Sequence, residues 1–482
     1  MSPPSPDQRT AISLSRRFGP RWRWLVLATL MIGTIASIMS STIVNVAVPD
    51  LMQYFHIEQA QAQWVSAGFM AAMTLAMLPT PWLLGRFGFR LTYMGVSALL
   101  LIGGVVGGLA GSFELVLAMR VVEGIAAGVM QPIPSIMVMR AFEPTERGKA
   151  MGIFAFGVVL APAVGPTIGG LLVEQFGWRS IFFVVVPFCV VALGLAQRYL
   201  PDLGSQASAD DEDPPRVPFD FRGLLLATVS VLCLLQGLSH LHKAFDLVTL
   251  VLLLAAVGVM GWFVHHCRHV EHPLVDLRIF QARAFAMGAV VAFVYGMGLF
   301  GSTYLVPVFM QTALHFTPSA AGAALLPAGL VLAVVIPVAG RLADRVPPHR
   351  LVCAGLVCLA VSFALMGTVQ PGTALAVLML WAAIGRLGLG LVLPSLSLGS
   401  LKGMDGALMP QAVSNINFLR QLGGAIGISV VSIFLEWRLR SVHPTDNSSV
   451  AAFSQTYWLV AAICATAVIA AARMRPGRVP SC

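Results

Sequence analysis

Charge is what this chain has least of. Only 11% of its 482 residues are Asp, Glu, Lys or Arg, where soluble domains carry about a quarter. That composition excludes a soluble globular protein. The seven cysteines (189, 233, 267, 353, 358, 464 and 482) are scattered, odd in number and free of CxxC or CxxH spacing. Neither a disulfide framework nor a metal site is supported. The chain has no nucleotide-binding loop, no nucleophile constellation and no soluble domain. An enzyme or sensor therefore has nothing to rest on, and no cofactor is expected.

Apolar length is what it has in excess. Hydrophobic residues make up 57% of the chain, and the mean hydropathy is +0.83. Runs of about twenty apolar residues, enough to cross roughly 30 Å of hydrocarbon, recur from end to end. Read against their charged breaks they predict fourteen spans, at 24–48, 62–84, 91–111, 115–139, 150–173, 180–197, 223–239, 247–264, 284–310, 318–340, 351–369, 374–400, 407–434 and 456–472. The first is too long for a signal-peptide core and lacks a following cleavage site, so it reads as an uncleaved span. Of the 30 Lys and Arg, 23 fall in the tails and on one set of connections and four on the other. The positive-inside rule then places both termini in the cytoplasm. It also accounts for the net charge of +9 without nucleic acid as a partner.

Two features suggest duplication. "LLGRFGFRLTYMG" (83–95) follows the second span and "LADRVPPHRLVCAG" (342–355) the tenth, and each half carries one arginine two spans later, Arg120 and Arg386. Spans 1–6 and 9–14 read as two six-helix units, with spans 7 and 8 between them. The predicted organisation is a tail 1–23, a bundle 24–200, an acidic, Pro-rich linker 201–220, two extra helices in 221–265, a cytoplasmic amphipathic segment 266–283, a bundle 284–472 and a tail 473–482. The fold class is an all-α polytopic membrane protein.

With these segments in order, the chain resembles the major facilitator superfamily, in its fourteen-helix drug:proton antiporter branch of the EmrB/QacA type. The residues that carry the resemblance are "STIVNVAVP" (41–49), "QWVSAGF" (63–69), "RVVEG" (120–124), "GPTIGG" (165–170), "WRSIFFVVVP" (178–187), "HPLVDLRIF" (272–280), "GRLADR" (340–345) and "NFLRQLGGAIG" (417–427). The resemblance implies two six-helix bundles with two intercalated helices and a cavity open alternately to each side. It implies proton-driven export of small amphipathic, drug-like compounds across the bacterial inner membrane. Export of one endogenous metabolite, siderophore or lipid is the alternative. A periplasmic adaptor and outer-membrane channel are raised as partners, although the short connection at about 435–455 leaves little to dock.

Roles follow from these motifs. Gly165, Pro166, Gly169 and Gly170 form the antiporter motif, where Pro166 removes a backbone donor and can bend the helix. Gly340, Asp344 and Arg345, with Arg86 and Arg90 in the first copy, are the gating candidates. The first copy departs from the family pattern, with Gly85 in place of an acid. Helix 1 departs too, since Ser40 stands where the family usually has Asp. Asn45 reads as an inter-helix hydrogen bond. Trp64, Met70, Met73, Phe293, Tyr295, Phe300 and Arg420 are candidate cavity residues.

Glu123 is the one acid deep in a predicted span, and Arg120 lies three residues before it on the same helix face. Burial favours a neutral carboxyl group, and an adjacent arginine favours a charged one. A group under both influences can change charge with solvent access, as a proton carrier must. An acid lost at 40 and gained at 123 suggests that the proton site has moved.

Overall fold

The computed structural model describes residues 19–201, 217–243, 246–314, 316–370, 373–441 and 446–474. Regular structure among them is helical. The first half contains α1 (Trp22–Phe55), α2 (Trp64–Ala76), α3 (Thr80–Gly108), α4 (Phe113–Met130), α5 (Pro132–Ala141), α6 (Arg147–Phe176) and α7 (Val185–Tyr199). There follow α8 (Phe221–Lys243) and α9 (Leu247–His269). The rest comprises α10 (Arg283–Thr312), α11 (Pro318–Ala343), α12 (Pro348–Met366), α13 (Leu375–Ser400), α14 (Met409–Ser441) and α15 (Asp446–Arg473). Most of the tails 1–23 and 473–482 and of the linker 201–220 lies outside the described residues.

Twelve helices among the described residues are long and apolar enough to cross a membrane. The segments expected as the second and fourth spans are not among them, and each is divided between two helices. Span 62–84 is divided between α2 and the first turns of α3 by a turn at 77–79. Pro79 and Pro81 cannot donate to the carbonyls four residues back, so the ladder lapses there. Span 115–139 is divided between α4 and α5 at Gln131, where Pro132 and Pro134 have the same effect. Within α3 the helix is broken by a kink at Gly88, whose φ of 76° is open to glycine at no steric cost. The expected second and third spans meet there.

The chain divides into two compact units. The first holds Met1–Glu143, Phe156–Leu224 and His269–Asp276, and the second holds the remainder. In the first unit α4 packs against α1, α2 and α3, and α7 against α1 and α3. The α2–α4 seam closes backbone to backbone: a Cβ on Gly124 would stand 2.5 Å from the Phe69 carbonyl oxygen. In the second unit α10 packs on α14, α12 on α13 and α15, and α11 on α13. Its seams use the same device, with a Cβ on Gly355 falling 2.7 Å from the Gly388 carbonyl and one on Gly388 falling 2.5 Å from that of Gly355. Small residues of this kind let apolar helices approach where no hydrophobic effect drives them together.

Candidate functional site

The most polar point of the first unit is deep inside it. Arg120 is 1% exposed and Glu123 not at all. One helical turn brings them together, and Arg120 Nη1 donates to Glu123 Oε2 at 2.6 Å. Helix α1 supplies the third member. Ser40 Oγ accepts from Arg120 Nη1 at 2.8 Å and donates to Glu123 Oε2 at 3.1 Å. The remaining guanidinium donors reach main-chain carbonyls, Nη2 to Ser40 at 3.1 Å and Nε to Val65 at 3.3 Å. Arg120 Cζ lies 4.3 Å from the centre of the Phe69 ring, a cation–π contact worth about 1–2 kcal/mol when desolvated. Three helices thus converge on one buried arginine.

Glu123 has an asymmetry that matters chemically. Its Oε2 is doubly hydrogen-bonded, while Oε1 is buried and has no hydrogen-bond partner. The carboxylate occupies room left by α3: a Cβ on Gly103 would meet Glu123 Cγ at 2.6 Å, and one on Gly104 would lie 3.7 Å from Oε1. A carboxyl group so placed has room to hold a proton on one oxygen while the other still accepts a hydrogen bond from Arg120.

The antiporter-motif glycines, on α6, pack against the face of α1 next to the one that carries Ser40. Gly165 packs against Thr42, with 2.7 Å from a built Cβ to Thr42 Oγ1, and Gly169 packs against Ile43. Gly170 is looser, 3.9 Å from Val46. The side chain of Pro166 lies outside the described residues. The segment from Ser40 to Ile43 therefore touches the charged pair on one face and α6 on the next.

In the second unit, Asp344 caps α6. Its Oδ1 accepts from Gly148 N at 2.6 Å and its Oδ2 from Lys149 N at 2.9 Å. A carboxylate there satisfies otherwise unbonded donors and meets the positive end of the helix dipole. Gly340 permits the approach, since a Cβ on it would meet Gly152 Cα at 2.6 Å. Arg345 and Arg86 are exposed and Arg90 is half-buried. Gly85, where the first copy lacks its acid, has open space around it.

The cavity candidates separate. Asn45 accepts from Ser66 Oγ at 2.7 Å, linking α1 to the α2 helix. Trp64 is 42% exposed, Met70 half-buried and Met73 buried in the α2–α4 seam. Phe293 and Phe300 pack on Gly423 and Gly424 of α14. Tyr295 is buried, and its hydroxyl donates to the Leu389 carbonyl at 3.3 Å. Arg420 Nη2 donates to Asn417 Oδ1 at 3.1 Å. What sequence reasoning missed was Ser40 itself, which looked like the loss of a proton carrier and is instead a ligand of the pair. Among the described residues there is no cluster of potential metal ligands.

A model of the Major Facilitator Superfamily matches residues 30–428. The chain is 30% identical over 430 residues to a Multidrug resistance protein B homolog of Mycobacterium tuberculosis, covering 86% of this chain and 77% of that one. It is 29% identical over 457 residues to the Tetracenomycin C resistance and export protein of Streptomyces glaucescens, covering 92% and 82%. The fold is similar to that of the human organic anion transporter MFSD10, at a TM-score of 0.66 and 16% identity over 93% of this chain and 99% of that one.

Proposed function

The chain belongs to the major facilitator superfamily of membrane transporters, and from that premise we propose that it is a proton-coupled antiporter exporting small amphipathic compounds from the cytoplasm. It belongs to the fourteen-helix branch, with the broken helices α2–α3 and α4–α5 counted as spans. Its place is the bacterial inner membrane with both termini cytoplasmic, as the Lys and Arg distribution supports. Relatives named for multidrug resistance and antibiotic export support the substrate class. An adaptor and outer-membrane channel would be optional partners.

The observation that carries this reading is the Arg120–Glu123–Ser40 cluster, in which one carboxylate oxygen is held and the other is not. Protonation at Oε1 would neutralise Glu123 and weaken its hold on Arg120. The guanidinium would then rely on Ser40 and the two carbonyls, loosening α1 against α4. Because α1 also carries Thr42 and Ile43 against α6, the change would pass to the antiporter motif. Asp344 would hold the start of α6 in one state and release it in the other, a bistable contact of the kind alternating access needs. The test is proton movement: purified protein in liposomes should acidify or alkalinise the lumen only when a transported amphipathic dye such as the zwitterion rhodamine B is present. Dye transport with no proton movement would overturn the proposal.

A further inference from the structure

Arg386 in α13 is the second-half counterpart of Arg120 in α4, each being the arginine two spans after the repeated loop, and it lies about 17 Å along its helix from the start at 1.5 Å per residue. The surroundings differ in one decisive respect. Three residues after Arg120 stands Glu123, and three residues after Arg386 stands Leu389. Among the described residues Arg386 has neither ion pair nor hydrogen bond. It is half-buried and lines a cleft whose walls include Val306, Leu325 and Phe363, with Ser302 and Ser362 among the lining groups.

The hydroxyls there are already committed. Ser302 Oγ donates to the Leu299 carbonyl at 2.9 Å and Ser362 Oγ to that of Trp381 at 2.6 Å. Tyr295 is buried, and its hydroxyl donates to the Leu389 carbonyl. The guanidinium is thus the donor the cleft has to offer. No Asp or Glu occurs in α10, α11, α12 or α13, and Glu436 lies near the end of α14. A cation at membrane depth is costly unless it meets an opposite charge. Guanidinium matches a carboxylate in shape, with two parallel N–H donors.

We propose that the cleft beside Arg386 receives the carboxylate of an amphipathic substrate, its apolar body lying against Val306, Leu325 and Phe363. This rests on the transporter reading above and adds the substrate's charge: the group that Glu123 supplies to Arg120 within the chain is supplied to Arg386 by the cargo.

Binding alone tests it, without any gradient. The full-length protein in detergent is titrated with 11-(dansylamino)undecanoic acid and with its methyl ester, following dansyl fluorescence. The acid should bind at least about tenfold more tightly than the ester, the weight of one charge-assisted hydrogen-bonded contact. Arg386→Gln should abolish that preference, and Arg386→Lys should keep part of it. Leu389→Glu should also abolish it by placing an internal carboxylate at the Arg120–Glu123 spacing, which guards against a Gln variant that fails to fold. Equal binding of acid and ester by the native protein would overturn the proposal, as would a preference that survives Arg386→Gln. Displacement of the acid by millimolar chloride at fixed ionic strength would make this a halide site and overturn the carboxylate assignment. Loss of proton coupling at Glu123 leaves all these readings unchanged, so the two proposals fail separately.

Discussion

Ser40 Oγ and Glu123 Oε2 are hydrogen-bonded at 3.1 Å across 83 residues of sequence. The helix 1 position where the resemblance expects an acid and the helix 4 position that has one are therefore the same place in space, served by the same arginine. On the proposed reading, an acid at either position would serve the same arginine.

That relationship makes an exchange experiment possible. Ser40→Asp in the Glu123→Gln background should restore part of the pH-driven transport that Glu123→Gln removes, because Asp at 40 reaches the same Arg120 Nη1. Dye uptake into inside-out vesicles under a pH gradient reads this directly. Restoration absent in a folded double variant would mean that the two positions are not interchangeable.

Arg120→Leu should destabilise the first unit severely. Breaking a buried pair by removing one partner costs about 3–5 kcal/mol, because the other charge is left uncompensated. The double variant Arg120→Leu with Glu123→Leu should recover much of that loss while transporting nothing. Thermal unfolding in detergent distinguishes these outcomes, and a double variant no more stable than the single one would refute the pairing.

Asp344→Asn should slow turnover with little change in substrate affinity. The substitution weakens two contacts to the start of α6 and the charge–dipole attraction there, together worth about 1 kcal/mol. A shift of that size changes a two-state population several-fold. Labelling of single cysteines on the two membrane faces should show the change, whereas unaltered labelling with unaltered turnover would reduce "GRLADR" to a topology signal.

Substrate charge gives a further expectation. Glu123 is already matched by Arg120 at 2.6 Å, and Asp246 is engaged as a helix cap, with Thr249 N and Oγ1 both at 2.8 Å. No spare buried anion is present in the described spans to meet a doubly charged cation. Dications should therefore be exported far less well than zwitterions or monoanions of similar size, in competition assays with one fluorescent substrate. Efficient dication export would bring Asp50 into the pathway.

Much of this architecture could be read from the chain because membrane helices announce themselves by length. The Arg120–Glu123 pair was equally legible, since two charges one turn apart in an apolar run can only meet each other. Ser40 was not, because its role depends on a helix 83 residues away and a serine carries no signature of its own. Asp344 could be singled out by its motif, but its partners are backbone N–H groups, which every residue has. The breaks at 77–79 and at Gln131 were hidden for a different reason: hydropathy continues across them while the prolines interrupt only the hydrogen-bond ladder.

The measurement closest to the central claim compares two transport modes of Glu123→Gln in liposomes. Gradient-driven accumulation requires a proton to be carried, whereas exchange of labelled for unlabelled substrate at equal concentrations requires only that the protein alternate. Glu123→Gln should abolish the first and retain the second, because the amide keeps the hydrogen bonds to Arg120 and Ser40 but cannot take up a proton. Accumulation of substrate by Glu123→Gln under a pH gradient alone would contradict the account.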